Sequence, residues 1–209
     1  MELTVTNIQG KKTSKKVKLN DAIFGIEPSD HAIYLDVKYI LANRRQGTSK
    51  AKERAEIKGS TRKLRKQKGG GGARVGSINN PLFKGGGRVF GPRPRTYDSK
   101  LNKKVRKLAR KSALAYKAKE NGLTVLEDFT FDKIKTKQYL EILKNLNAEN
   151  SKSLLVLAGA DEKVLLSARN IKNAKVIQAK DINTYDILNA KGLMVTESSL
   201  KEIDNLLSE

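Results

Sequence analysis

Residues 154–171 read LLVLAGADEKVLLSARNI, and this stretch decides the fold. Leu154–Ala158 is a short apolar run of strand length. Gly159 supplies a turn, and Asp161 stands where a helix N-cap belongs, its carboxylate able to accept the first free N–H groups. Val164, Leu165, Ala168 and Ile171 then recur at helical spacing. An apolar strand feeding an amphipathic helix through a tight turn is one half of a β-α-β unit.

The same alternation extends to both sides. Leu123–Leu126, Val176–Ala179 and Leu193–Thr196 are further apolar runs. Tyr139, Ile142, Leu143 and Leu146 stripe a helix, a shorter helix covers Thr184 to Ala190, and Leu200, Ile203, Leu206 and Leu207 stripe the last one. Ser199 with Glu202 three residues on reads as a capping box opening that last helix. Near the N-terminus, Glu2 to Ile8 alternates, with Leu3 and Val5 expected inside, and Val17 with Leu19 predicts a second strand. Ser29-Asp30 can cap a helix whose expected core stripe is Ile33, Val37, Ile40 and Leu41. Together these predict an α/β fold: a mostly parallel sheet flanked by helices, with right-handed crossovers and the N-terminal elements completing the layer.

The middle of the chain breaks this pattern. The 209 residues carry a formal net charge of +21, and nearly all of it sits between residues 44 and 119. That segment has a net of +22, against +1 before it and −2 after it. From Arg44 to Arg95 stand 11 of the 16 glycines, three of the four prolines and 16 Lys/Arg. Its apolar residues are isolated, so neither strand nor helix period persists, and the composition predicts a segment that does not order by itself. The reading is one globular body, residues 1–43 and 97–209, with an extended Gly/Arg/Lys-rich arm, 44–96, inserted in it. Doubled back, about 52 residues reach at most ~85 Å at ~3.3 Å each, against a radius of gyration near ~15 Å for the body. Asp98 or Ser99 is expected to cap a helix reaching about Glu120, with Leu101, Val105, Leu108, Ser112 and Ala115 inward and a basic outer wall.

Concentrated positive charge interleaved with glycine points to a polyanion. Lys and Arg neutralise phosphates and release counterions. Glycine lets backbone N–H groups approach phosphates. Phe83 and Phe90 can stack on unpaired bases. The candidate RNA-binding cations are Arg44, Arg45, Lys50, Lys52, Arg54, Lys58, Arg62, Lys63, Arg65, Lys66, Lys68, Arg74, Lys84, Arg88, Arg93 and Arg95 on the arm, with Lys103, Lys104 and Lys107 on the following helix. No helix-turn-helix with a polar recognition helix is visible, which favours RNA over duplex DNA. A membrane arm would show an amphipathic helix with Trp or Leu on one face, and none is visible.

Enzyme chemistry finds little purchase. Gly71 to Gly76 has phosphate-loop spacing, but Ser77 follows where the motif needs Lys, and no strand precedes it. There is no cysteine, which removes a cysteine-ligated zinc site and a Cys/His pair, and His31, the single histidine, stands at the start of a helix and reads as structural rather than as half of a Ser/His pair. Leu157–Asp161 ends a strand where α/β sheets often bind ligands, but a turn with Asp161 as N-cap explains it. Asp181 and Asp186 read as helix-capping groups. No metal, cofactor or catalytic residue is expected. The first residues lack an apolar core of signal-peptide length and no run spans a membrane, giving the expectation of a soluble intracellular protein.

Several ordered stretches resemble the bacterial large-subunit (50S) ribosomal protein L-four family. They are Asn43-Arg44-Arg45-Gln46-Gly47-Thr48, Gly59-Ser60-Thr61-Arg62-Lys63, Gln67-Lys68-Gly69, Ala73-Arg74-Val75-Gly76-Ser77, Lys84-Gly85-Gly86-Gly87, Gly91-Pro92-Arg93-Pro94, Asn102-Lys103-Lys104 and Ala168-Arg169-Asn170. The resemblance implies a cytoplasmic ribosomal protein that binds 23S rRNA, supports subunit assembly and neighbours other large-subunit proteins. It further implies that the arm tip, Gln67, Lys68, Gly69, Gly70, Gly71, Gly72, Ala73 and Arg74, lines the exit tunnel beside the nascent peptide. Family members often carry Arg where this chain has Gly72, leaving Lys68 and Arg74 as the nearest cations. Neither a membrane nor a second copy of the chain is an expected partner. The competing reading is a non-ribosomal RNA-binding or nucleoid protein.

Overall fold

A computed structural model describes residues Met1–Ser208. The chain forms two compact units: Met1–Leu41 with Lys100–Glu209, and Ala42–Ser99. In the first unit the elements run β1 (Glu2–Thr6), β2 (Lys12–Lys18), α1 (Asp21–Phe24), α2 (Asp30–Asn43, whose last two residues fall in the second unit), α3 (Lys103–Lys119), β3 (Leu123–Leu126), α4 (Thr136–Asn145), β4 (Ser153–Leu157), α5 (Glu162–Arg169), β5 (Ala174–Gln178), α6 (Thr184–Asn189), β6 (Gly192–Thr196) and α7 (Glu197–Ser208). A 3-10 turn, Ala179–Asp181, follows β5. The sheet order is β2-β1-β3-β6-β4-β5. Only the β1–β2 edge pair is antiparallel; every other pair is parallel.

The strand period of two divides the core. Leu154 and Val156 of β4, with Leu193 and Val195 of β6, face one apolar cluster, which includes Ile23, Leu114, Ile187, Leu200 and Ile203 from α1, α3, α6 and α7. Leu155 and Leu157 of β4, with Met194 of β6, face the other, where Tyr139, Ile142 and Leu143 of α4 and Val164 and Ala168 of α5 pack. Both sheet faces are covered, which is why β4 reads as an unbroken apolar run rather than an alternating one. Asp161 caps α5 as expected, its Oδ1 accepting from Lys163 N and Val164 N at 3.0 and 3.2 Å. Asn183 does the same for α6.

Four expectations are corrected. On α2 the fully buried residues are Ala32 and Asp36, while Ile33, Val37 and Ile40 are half-buried and Leu41 is exposed. Asp36, 1% exposed, accepts the hydroxyl of the fully buried Thr184 at 2.5 Å, so a polar bond sits where an apolar stripe was expected. Helix α3 starts at Lys103 behind Asn102, not behind Asp98 or Ser99; Leu108 is exposed, and Ser112 to Ala115 are all buried in succession. Alanines at 109, 113, 115 and 118 give that half of the helix a thin profile that neighbouring helices approach from more than one side. The Ser199–Glu202 capping box does not open α7, which begins at Glu197. Ser199 is buried inside the helix and donates its hydroxyl to Val156 O and Thr196 O, tying α7 to β4 and to the end of β6. Asp186 is no solvated cap: it lies buried in the first turn of α6, taking Lys175 Nζ at 2.5 Å and Asn183 Nδ2 at 2.7 Å.

Candidate nucleic-acid interface

The unit Ala42–Ser99 holds no helix or strand beyond the end of α2. Its two limbs run past each other and are pinned at intervals by backbone bonds. Arg95 N donates to Gly47 O, Ala51 N to Pro92 O, Arg88 N to Lys52 O, and Leu64 N to Gly76 O, all at 2.9–3.1 Å. Gly87 is tucked against the opposite limb, where an added Cβ would meet Arg54 Cα at 2.6 Å. Asn79 is buried, its side-chain Nδ2 donating to Ile57 O at 3.4 Å while its backbone carbonyl accepts Gly87 N at 3.1 Å. At the base of the limbs the guanidiniums of Arg45 and Arg95 stand over the Tyr97 ring, 3.7 and 4.6 Å from its centroid. The hydrogen bond from Arg95, then the Arg45 charge, hold the Tyr97 hydroxyl below its usual pKa.

This scaffold buries little and displays charge. Arg44, Arg45, Lys50, Lys52, Arg54, Lys58, Arg62, Lys63, Arg65, Lys66, Lys68, Arg74, Lys84, Arg88, Arg93 and Arg95 are all exposed. Between Arg44 and Arg95 stand two acids. Glu53 takes Arg93, with Nη2 at 2.5 Å, and Glu56 takes Lys50, whose hydrogen bond holds the Glu56 carboxyl below its ordinary pKa. On α3, Lys103 and Lys104 are exposed and Lys107 is half-buried. Farther along, burial lowers the pKa of Arg110 while the Asp36 carboxylate favours its charge.

The turn lies between Leu64 and Gly76. Gln67 accepts from Lys63, and residues 67–74 are all exposed. Gly69 and Gly71 have φ of +80° and +62°, a region L side chains rarely adopt, and an added Cβ at either would meet nothing. At Gly72 a Cβ would meet the Arg65 guanidinium at 2.8 Å, with the Gly70 carbonyl at 3.9 Å. The turn is therefore thin because it lacks side chains, not because neighbours crowd it.

Elsewhere the surface offers little chemistry. A cleft of about 560 Å³ opens at the carboxyl ends of the parallel strands, lined by Asp128, Leu157, Gly159, Asp161, Thr196 and Ser198 among others. Two of its carboxylates are occupied: Asp161 caps α5, and Asp128 accepts the N–H and hydroxyl of Ser198. Among the described residues no group of three or more His, Cys, Asp or Glu could hold a metal ion. No helix among them is long and apolar enough to cross a membrane.

A model of the Ribosomal protein L4/L1 family matches residues 17–206. The chain belongs to that family. It is 61% identical over 208 residues to a protein of Phocaeicola vulgatus named large ribosomal subunit protein uL4, all of both chains being covered. It is 60% identical over 207 residues to the protein of that name from Bacteroides fragilis, covering 99% of this chain and 100% of the other. A third, from Flavobacterium johnsoniae, is 56% identical over 209 residues, again across both chains. Membership in the L4/L1 family assigns the chain a structural ribosomal role, not an enzymatic one. Sequence reading missed Tyr97 and Asn79 as parts of the basic unit. An aromatic two residues after Arg95 was a signal for the stack; nothing local marked the buried amide.

Proposed function

We propose that the protein is a constituent of the large ribosomal subunit, binds 23S rRNA through residues 44–96 with Lys103, Lys104 and Lys107, and supports subunit assembly. One observation carries the reading: sixteen cations between Arg44 and Arg95 are exposed, with two acids in the same span to offset them. Such a surface repels itself until phosphates enter, so RNA closing around the limbs supplies the missing counter-charge. In this organisation residues 1–43 and 97–209 are the α/β body and residues 44–96 the arm. In the same reading the thin turn Gln67–Arg74 lines the nascent-peptide exit tunnel, where side-chain-free backbone leaves room for the peptide.

Co-sedimentation with large subunits in sucrose gradients at moderate salt tests the assembly role; protein remaining at the top of the gradient would refute it. Photo-crosslinkers at Lys68 or Arg74 should capture rRNA or a stalled nascent chain, and capture of neither would remove the tunnel assignment. Excising residues 48–92 should leave a body that melts cooperatively; loss of cooperative unfolding would refute the division into body and arm.

A further inference from the structure

Among the described residues, three other than glycine have left-handed backbone: Phe90, Asn121 and Asn147, at φ +53°, +55° and +54°. Asparagine tolerates this region, whereas a bulky aromatic is a genuine outlier there. Phe90 is also fully exposed, at 103% of its reference area, so no packing of its own side chain offsets the strain or covers the bare ring. A loop that merely needed positive φ would take Gly or Asn. Backbone strain maintained by its surroundings is characteristic of binding sites.

The surroundings do maintain it. Arg88 N donates to Lys52 O at 2.9 Å, and Ala51 N donates to Pro92 O at 3.0 Å. The opposite limb thus has adjacent residues, 51 and 52, facing positions 92 and 88, so Val89, Phe90 and Gly91 are forced out as a bulge with both feet pinned. Gly91 fits close to the opposite limb: an added Cβ would lie 2.5 Å from Ala51 Cβ and 3.0 Å from Arg88 Cγ. Phe90 rides the outer side of this bulge. Phe83 is different, half-buried, with its N–H bonded to Asn80 O and its carbonyl to Gly86 N.

We infer that Phe90 is a stacking wedge that receives the face of an unpaired RNA base, a role that rests on the RNA-binding reading above and names one specific contact within it. The ring is a bare apolar π-face on a backbone pinned at both ends, which every nucleobase can meet. Exposed Arg88, Arg93 and Arg95 flank it along the same limb, suited to the phosphates on either side of a splayed nucleotide. That cationic frame favours a nucleic acid over an apolar pocket on a neighbouring protein.

The chain contains no tryptophan, so Phe90→Trp introduces a single indole reporter at the wedge. On titration of the full chain with 23S rRNA, its emission should be quenched with the same midpoint as binding. Phe90→Leu should weaken binding roughly tenfold, the usual effect of losing one aromatic–base stack, with an unchanged salt slope because no cation is lost. Phe90→Tyr should bind as the parent does. Phe90→Gly relieves the strained φ; it should keep or raise the thermal midpoint while losing affinity like Phe90→Leu, which a purely structural phenylalanine would not do. An unquenched Phe90→Trp in a complex of parental affinity, or parental affinity for Phe90→Leu, would overturn the wedge and leave the RNA-binding reading standing. Emission that shifts to the blue without quenching in assembled large subunits would overturn it in favour of a protein pocket. Failure of the parent chain to bind 23S rRNA would instead remove the RNA-binding reading itself.

Discussion

Salt is the perturbation that most directly tests an electrostatic arm. Sixteen exposed Lys/Arg lie between Arg44 and Arg95. If about half of them reach phosphates, the complex neutralises about eight charges, and the slope of log affinity against log salt is about −6 for single-stranded segments. Raising monovalent salt fourfold, from roughly 50 to 200 mM, should then weaken binding by about 10³- to 10⁴-fold. Removing Lys66, Lys68 and Arg74 together, by substitution to Ala, should reduce the slope by about two at roughly 0.7 per lost phosphate contact. These side chains are exposed, so stability should hold within about 0.5 kcal/mol. The assay is filter binding or anisotropy with 23S rRNA at five or more salt concentrations, with melting curves as the control. A slope shallower than about −2 in the parent chain would refute the reasoning, because a handful of contacts could not require so dense a cationic surface.

Three further outcomes follow from particular contacts. Asp36→Ala should cost about 3 kcal/mol, because it strands the buried Thr184 hydroxyl and takes the nearby negative charge from Arg110; the thermal midpoint should fall by roughly 6–12 °C, and an unchanged midpoint would show that the bond contributes nothing. Burial raises the pKa of Asp204, and its Oδ1 has no hydrogen-bond partner, so this group favours the folded state only while protonated, below its unfolded value, and that contribution disappears as pH rises through the folded pKa. Asp204→Asn should therefore raise the melting temperature at pH 7 and give no gain near pH 3; equal effects at both would contradict the assignment. Gly72→Arg should be tolerated without loss of stability, since the one close approach to its Cβ is the far end of the flexible Arg65 side chain, and should steepen the salt slope by about 0.7; a lowered melting temperature would mean the turn is more crowded than its geometry indicates.

Much of the body was legible because its signals are local. Leu154–Leu157 reads as a strand covered on both faces, and the Asp161 cap follows from the short reach between a carboxylate and the N–H groups two and three residues on. The errors fall where distant groups intervene. Ser199 has the spacing of a capping residue, but a β4 carbonyl 43 residues away competes for its hydroxyl. Asp36 looks like a solvent-side residue until Thr184, 148 residues on, donates to it. Leu108 has the spacing of a core residue on α3 yet is exposed, because the helix turns other faces to its neighbours. The basic surface was legible for a different reason: sixteen cations against two acids is a compositional fact, and no fold of that segment could bury so many charges.

By itself the sequence determined the alternation of strands and helices, the segment that could not build an apolar core, and the sign of its partner's charge. These depend on periodicity, composition and net charge, which survive without knowledge of distant neighbours. Tertiary structure alone decided that β6 inserts between β3 and β4, that Asp36 and Ser199 turn inward, and that Phe90 projects while Phe83 folds back. Each is a choice between locally equivalent residues or strands, made by partners tens of residues away, so its energy enters only when the chain has closed upon itself.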